Sequence, residues 1–457
     1  MATNGLIVAA VSSGSGKTTI TNGLLRAFSR RGLKAMPFKV GPDFIDTQFH
    51  RVASGRDSIN LDIYMSGESH VRNLVNRYSV DADVCVVEGV MGLFDGYDCR
   101  KGSAAHVAEI TGFPVVLVID ASSSAYSLAP VLVGFKNFDP KIRIAGVIFN
   151  NIGSELHLHL VREAAKAAGV EMLGYLKRDR RMSVPSRHLG LSLGDDNGIE
   201  KFVGNAADAV ESTIDIEKLL NVTEIRSLSV NGRDNNDPEV YGTGAEPEIK
   251  TSSVTECNPE EERKVIAVAC DEAFNFIYPE NLKALQRNPV FGGEIKKFSP
   301  IHDKFMPDAD FLYLPGGYPE LYADKLAANE NMRKSVREFI EGGGYALAEC
   351  GGMLYLSHDI DGNPMCGVLP LSGTMENARM SLGYREVDLG KFRIRGHEFH
   401  YSSVKEDKEK INGYLSAARQ FDVYGKQVST PVYRYKNLLA GYTHYYWADK
   451  ALEKMWE

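Results

Sequence analysis

Short apolar runs recur along the first half of the chain, each closed by glycine, proline or a polar residue. They are Leu6–Val11, Leu33–Val40, Asp83–Val87 (DVCVV), Pro114–Asp120 (PVVLVID) and Ile144–Asn150 (IAGVIFN). Runs this short and this continuously apolar are those of parallel strands buried on both faces. Stretches long enough for helices separate them, beginning with one from Lys17 through about Ser29. The βαβα order predicts a doubly wound parallel sheet. Between about Ser227 and Glu262 the pattern stops: the sequence turns polar, rich in Gly, Pro, Asn, Asp and Glu, and reads as a linker or disordered insertion. Beyond it the apolar runs resume at Lys264–Cys270 (KVIAVAC), Ala309–Pro315 (ADFLYLP) and Tyr345–Ala348, with an apolar and aromatic strand expected over Leu438–Trp447. The chain therefore divides into a first domain over 1–225, a linker over 226–262 and a second α/β domain over 263–457. No internal repeat is visible.

Composition narrows the partners. The chain has 457 residues, 44% of them hydrophobic, and a net charge of −8. That balance leaves no basic footprint for nucleic acid or an anionic membrane, so a small-molecule substrate is expected. The six cysteines form no C-x-x-C pair or disulfide framework, which fits a reducing cytosol. No apolar run approaches the ~20 residues of a membrane span, and no leader precedes the first strand, so a soluble cytoplasmic protein is expected.

The chemistry starts after the first strand. SSGSGKTT at 12–19 follows an apolar strand and opens a helix, the order of a phosphate-binding loop. Backbone N–H groups around Gly14, Ser15 and Gly16 can close on phosphate oxygens, and Lys17 supplies a point charge. Thr18 offers a hydroxyl to Mg²⁺, and Thr19 continues into the helix N-terminus. Val11 stands where the G-x-x-x-x-G-K-[ST] pattern has its first glycine. Asp43 and Asp46 follow the second strand at the sheet edge where ligands bind in open α/β folds. Glu88 ends the third strand, the position of a carboxylate that holds Mg²⁺ directly or through water, and Asp95 sits in the loop after it. Asn150-Asn151 at the end of the fifth strand are candidates for a nucleotide base, and Arg187 and His188 for an anionic substrate, although both pairs also suit ordinary loops.

In the second domain Cys350 lies between a short strand and a helix, followed by Gly351 and Gly352. A cysteine on such a turn is expected to be exposed and activated as a nucleophile. The N–H groups after Cys350 and near Gly317 are candidates for an oxyanion hole. His358, His397, His400 and His444 all follow the cysteine and could supply its base.

Taken in order, SSGSGKTT, KVGPDFID at 39–46, VEGVMGLFDG at 87–96, RHLGL at 187–191, LPGGYPE at 314–320, AECGGMLYL at 348–356, GHEFHYS at 396–402 and the final THYYW resemble the cobyrinic acid a,c-diamide synthase family. These are glutamine-dependent amidotransferases that work on corrin precursors. The resemblance spans the chain apart from the linker. It implies a dethiobiotin-synthetase-like ATPase domain followed by a class I, triad-type glutaminase domain. It implies that Cys350, activated by His444, takes ammonia from L-glutamine, with Gly317 and Gly351 at the oxyanion. It further implies that ATP, with Mg²⁺ held by Thr18, Asp43 and Glu88, activates carboxylates of cobyrinic acid or a related tetrapyrrole. Asp43, Asp46 and Asp95 would serve the substrate or its acyl phosphate, and the family leaves room for a homodimer. Many triad glutaminases carry Glu two residues after the histidine, whereas Tyr446 stands there here. Two other readings remain: a,c-diamidation of nickel sirohydrochlorin, and a partitioning or maturation ATPase acting as a switch. The second commonly carries a lysine at the position of Ser12 and needs no glutaminase.

Overall fold

The computed structural model describes residues 4–182, 196–225, 264–376, 378–416 and 418–457. The expected linker and the RHLGL block with Arg187 and His188 lie outside the described residues.

The first sheet is wholly parallel. It comprises β1 (Asn4–Ala10), β2 (Ala35–Val40), β3 (Ile59–Leu61), β4 (Val84–Glu88), β5 (Val115–Asp120), β6 (Ile144–Ile152) and β7 (Met172–Lys177), in the order β3-β2-β4-β1-β5-β6-β7. Side chains along β1 alternate between two cores. Ile7 and Ala9 pack on one face with Phe38 and Val87, and Leu6, Val8 and Ala10 on the other with Val86 and Leu24. A strand covered on both sides favours apolar residues at nearly every position, which is why these runs are continuous up to the polar residues at their ends. Helix α1 (Lys17–Arg30) leaves β1 at the centre of the sheet, where the strand order reverses.

The second half holds a six-stranded sheet in which β8 (Val265–Ala269), β9 (Glu294–Phe298), β10 (Phe311–Leu314), β11 (Tyr345–Glu349) and a later strand are parallel. The expected strand over Leu438–Trp447 is in fact two. Ahead of it, β12 (Ser381–Asp388) and β13 (Arg393–His400) form the middle of a separate five-stranded sheet. After β14 (Val432–Tyr435), β15 (Leu438–Gly441) pairs with β11, whereas β16 (His444–Tyr445) pairs with β13. The chain leaves one sheet at Tyr442-Thr443 and joins the other, and His444 stands at that crossing.

The halves meet through aromatic side chains. Phe44, Tyr64 and Met65 from the first half share one buried cluster with Phe276, Tyr278 and Tyr446 from the second. Phe44 stacks on Phe276 with ring centres 4.9 Å apart and planes 8° apart. Tyr384 Oη donates to Asp62 at 2.7 Å, and Tyr446 Oη meets His70 Nε2 at 3.0 Å.

Candidate active site

Sharp turns at Gly14 and Gly16, with φ of 79° and 98°, shape the loop between β1 and α1. A Cβ at Gly16 would stand 2.2 Å from Asn150 Nδ2, which donates to the Ser15 carbonyl, so the end of β6 braces the loop. This is a structural job for Asn150, which sequence reasoning offered to a base. Lys17 Nζ donates to the Met91 carbonyl at 2.6 Å and to that of Ser12 at 3.3 Å. The loop opens onto a cavity of about 630 Å³, lined among others by Gly14, Gly16, Lys17, Thr18, Thr19, Lys39, Asp43, Asp46 and Glu88.

Beneath this cavity lies a charged cluster built on a residue absent from the sequence-based assignment. Lys39 near the end of β2 is 2% exposed, and its ammonium donates to Asp46 at 2.6 Å and Glu88 at 3.0 Å, with Asp43 at 3.8 Å. Burial alone would lower its pKa, yet the carboxylates outweigh burial and hold it charged. Glu88 likewise resists burial, because Lys39, His50 and Thr18 keep it well below the ordinary carboxylate range. Its two oxygens accept from Thr18 Oγ1 at 2.7 Å and contact His50 Nε2 at 2.6 Å. Thr18, Asp46 and Glu88 thus bring hard oxygen donors to the phosphate loop, which suits Mg²⁺. Among the described residues no group of three or more His, Cys, Asp or Glu is placed to hold a metal ion by itself. Asp43 turns one oxygen inward to accept the N–H groups of Ile45 and Asp46, both at 2.8 Å. Asp95 is exposed, accepts the Gly92 N–H at 3.0 Å and is not among the cavity-lining residues.

In the second half, Cys350 directly follows β11 with φ 47° and ψ −105°, a strained turn that a non-glycine residue adopts only under constraint. Its N–H donates to the Gly441 carbonyl at 2.7 Å, tying the elbow to β15. Gly317 and Gly351 adjoin: a Cβ on Gly351 would lie 3.0 Å from Gly317 N. The expectation of an exposed, activated thiol needs correction. Cys350 is 3% exposed, its sulfur lies 3.9 Å from the Phe399 carbonyl, and burial followed by Glu320 pushes the thiol well above its usual value. The helix after it spans only Gly351–Tyr355 and supplies little dipole to oppose that burial.

His444 is fully buried, and neither ring nitrogen has a hydrogen-bond partner, so no Cys350–His444 hydrogen bond is formed in this state. It packs over Gly316, where a Cβ would stand 2.1 Å from its Cε1. Burial holds its pKa well below the ordinary value, so the imidazole is neutral. His397 stacks on it at 5.2 Å, with burial pushing His397 down to about 3. Phe44 reaches the same ring from the first half, 5.3 Å between centres, while its neighbour Asp43 lines the phosphate cavity. The two sites adjoin at this one side chain.

Residues 6–191 match the CobQ/CobB/MinD/ParA nucleotide binding domain, and residues 265–452 match the CobB/CobQ-like glutamine amidotransferase domain. The chain is 41% identical to a cobyrinate a,c-diamide synthase of Syntrophotalea carbinolica, over 97% of this chain and 96% of that one. It belongs to the a,c-diamide synthase family. The cobyrinate enzyme of Picrophilus torridus is 36% identical, covering 98% and 96% of the two chains. A hydrogenobyrinate a,c-diamide synthase of Streptomyces coelicolor is 37% identical, covering 97% and 94%. The family makes this chain a glutamine-dependent, amide-forming ligase with a nucleotide-binding half, and the partitioning-switch reading gives way. No helix among the described residues is long and apolar enough to cross a membrane.

Sequence reasoning missed Lys39 and His50 as members of the charged cluster, and offered His397 only as one of four candidate bases. Lys39 left a usable trace: a lysine inside AMPFKV, otherwise a strand buried throughout, can stay charged only beside carboxylates.

Proposed function

We propose that this chain amidates the a and c acetate carboxylates of cobyrinic acid, or its cobalt-free counterpart, with ATP and glutamine. The observation that carries the reading is the adjacency of a phosphate-loop cavity and a strained Cys350 elbow, on a chain similar end to end to such synthases. Cys350 Sγ attacks the glutamine amide carbon while His444 takes the thiol proton and passes it to the departing ammonia. The N–H groups of Gly317 and Gly351 receive the oxyanion, and water then hydrolyses the thioester to glutamate. In the first half a substrate carboxylate oxygen takes the γ-phosphoryl group of ATP. Ammonia adds to that acyl phosphate and phosphate leaves, because phosphate is a far better leaving group than hydroxide. Lys17 offsets charge on the phosphates, with the backbone of Gly14, Ser15, Gly16 and Thr19 around them. Mg²⁺, held by Thr18 and Glu88 with Asp43 or Asp46 near, would supply further charge neutralisation. Asp43, Asp46 and Asp95 remain the acidic residues assigned to substrate or acyl phosphate, of which Asp43 and Asp46 line the cavity. We assign the enzyme to the cytoplasm.

The test is mass spectrometry of products from cobyrinic acid, ATP and either glutamine or ammonia, with nickel sirohydrochlorin run beside it. Two successive amide additions to cobyrinic acid are expected. No amidation with either nitrogen source would sink the function, and preferential amidation of the nickel tetrapyrrole would move the substrate. Cys350→Ser should abolish glutamine use and leave ammonia use in place, since only the nitrogen source depends on the thiol.

A further inference from the structure

A base that has lost its usual acidic partner should rotate, and His444 has none two residues on, where Tyr446 stands. The fold nevertheless brings a carboxylate to its other nitrogen. Glu349 Oε2 lies 3.9 Å from His444 Nδ1, and both side chains are buried, at 1% and 0% exposure. Glu349 is the last residue of β11, paired with Gly441 of β15, and the turn after Gly441 carries His444 back over it. The carboxyl group is itself held: Oε1 accepts the Tyr445 N–H at 3.0 Å and Oε2 the Tyr313 hydroxyl at 2.8 Å. His444, in contrast, has both ring nitrogens buried and without a hydrogen-bond partner. A carboxyl group buried beside an imidazole whose nitrogens have no hydrogen-bond partner leaves buried polar atoms unsatisfied, which costs free energy.

We propose that Glu349, the residue directly before the nucleophile, is the positioning residue for His444, replacing the acid missing two residues after the histidine. This rests on the Cys350–His444 reading above. When glutamine enters, closing the 3.9 Å gap by about an ångström makes a normal N–H···O bond. A donated Nδ1–H favours the ionised form of Glu349, which releases its own proton to solvent and accepts that hydrogen bond, so that the lone pair sits on Nε2. Nε2 takes the thiol proton as the S–C bond forms, and the imidazolium is stabilised by the adjacent carboxylate until the proton leaves on ammonia. The arrangement couples elbow and base through one rigid strand end, because Glu349 and Cys350 are consecutive.

The experiment uses the full-length chain and compares glutamine hydrolysis by wild type, Glu349→Gln, Glu349→Asp and Cys350→Ala. Gln is isosteric and keeps the acceptor for Tyr445 N–H, so the fold is retained. The expected result is a fall in kcat of about 100-fold for Glu349→Gln with KM for glutamine within about twofold, the size of a lost acid–base contribution. Glu349→Asp should recover at least about tenfold over Gln, because the carboxylate returns at a longer reach. Ammonia-supported amidation is measured on the same samples, since a structural lesion would lower it together with glutamine hydrolysis. A Glu349→Gln kcat within about threefold of wild type, or an equal loss of ammonia-supported amidation, overturns the proposal. Should Cys350→Ala still hydrolyse glutamine, the Cys350–His444 reading itself fails. An inactive Cys350→Ala beside an active Glu349→Gln removes Glu349 alone.

Discussion

Replacing Lys39 by methionine should make the nucleotide-binding half depend on divalent cation for its stability. The ammonium touches Asp46 at 2.6 Å and Glu88 at 3.0 Å, with side-chain exposures of 3% for Lys39 and Asp46 and 1% for Glu88. At an effective dielectric near 20, each contact is worth roughly 6 kcal/mol of Coulomb attraction, most of it offset by desolvation of the three ions. Deleting one partner leaves the others uncompensated, and such deletions cost about 3–5 kcal/mol. For a domain of this size that corresponds to a drop of about 6–20 °C in thermal midpoint. The assay is thermal melting by far-UV circular dichroism in EDTA and again in millimolar Mg²⁺. Tryptophan emission serves as an internal reference, because both tryptophans, Trp447 and Trp456, lie in the other half. The dichroism midpoint should fall in EDTA ahead of the tryptophan midpoint and recover in part with Mg²⁺, which takes the place of the lost positive charge. A midpoint within about 2 °C of wild type in EDTA would refute the view that Lys39 neutralises this cluster.

Two further outcomes are expected. Phe44→Ala opens the contact between the phosphate cavity and His444, so glutamate released should exceed amide formed; a one-to-one ratio by paired glutamate assay and mass spectrometry would contradict a coupling role for the ring. Burial pushes Glu349 up to about 8 from its ordinary value, so its penalty is absent at low pH, appears as pH rises past the unfolded value near 4.5, and is complete above about 8. Glu349→Gln should therefore raise the thermal midpoint more at about pH 8.5 than at about pH 5, and an equal rise at both would show that burial leaves Glu349 ionised throughout.

Much of the first sheet could be read from the chain because its strands are covered on both faces and so are apolar without interruption. β3 and β7 escaped notice for opposite reasons: Ile59–Leu61 is too short to form a pattern, and Met172–Lys177 contains Gly174 and ends in an exposed lysine. β9 (EIKKF) and the charged pair β12–β13 gave no apolar signal, since one side of each meets solvent. The turns at 14–16 and at Cys350 were legible because backbone geometry writes itself into residue type. The break at Tyr442-Thr443 was not, for an apolar run looks the same whether it stays in one sheet or changes to another. Lys39 and His50 meet at Glu88, 49 and 38 residues away, and Glu349 is held by Tyr445, 96 residues on, so only the fold brings these partners together.

The aromatic seam also sets limits on recombination. A natural breakpoint for building hybrids between homologous enzymes is the polar stretch around 226–262, which separates two conveniently sized segments. Cutting there would part Phe44 from Phe276 and His444, Asp62 from Tyr384, and His70 from Tyr446. Each half of such a hybrid could fold and still meet a foreign face across the junction. A hybrid meant to keep this seam intact should therefore carry the donor's 43–70 region only together with the donor's 276–278, 384 and 444–446.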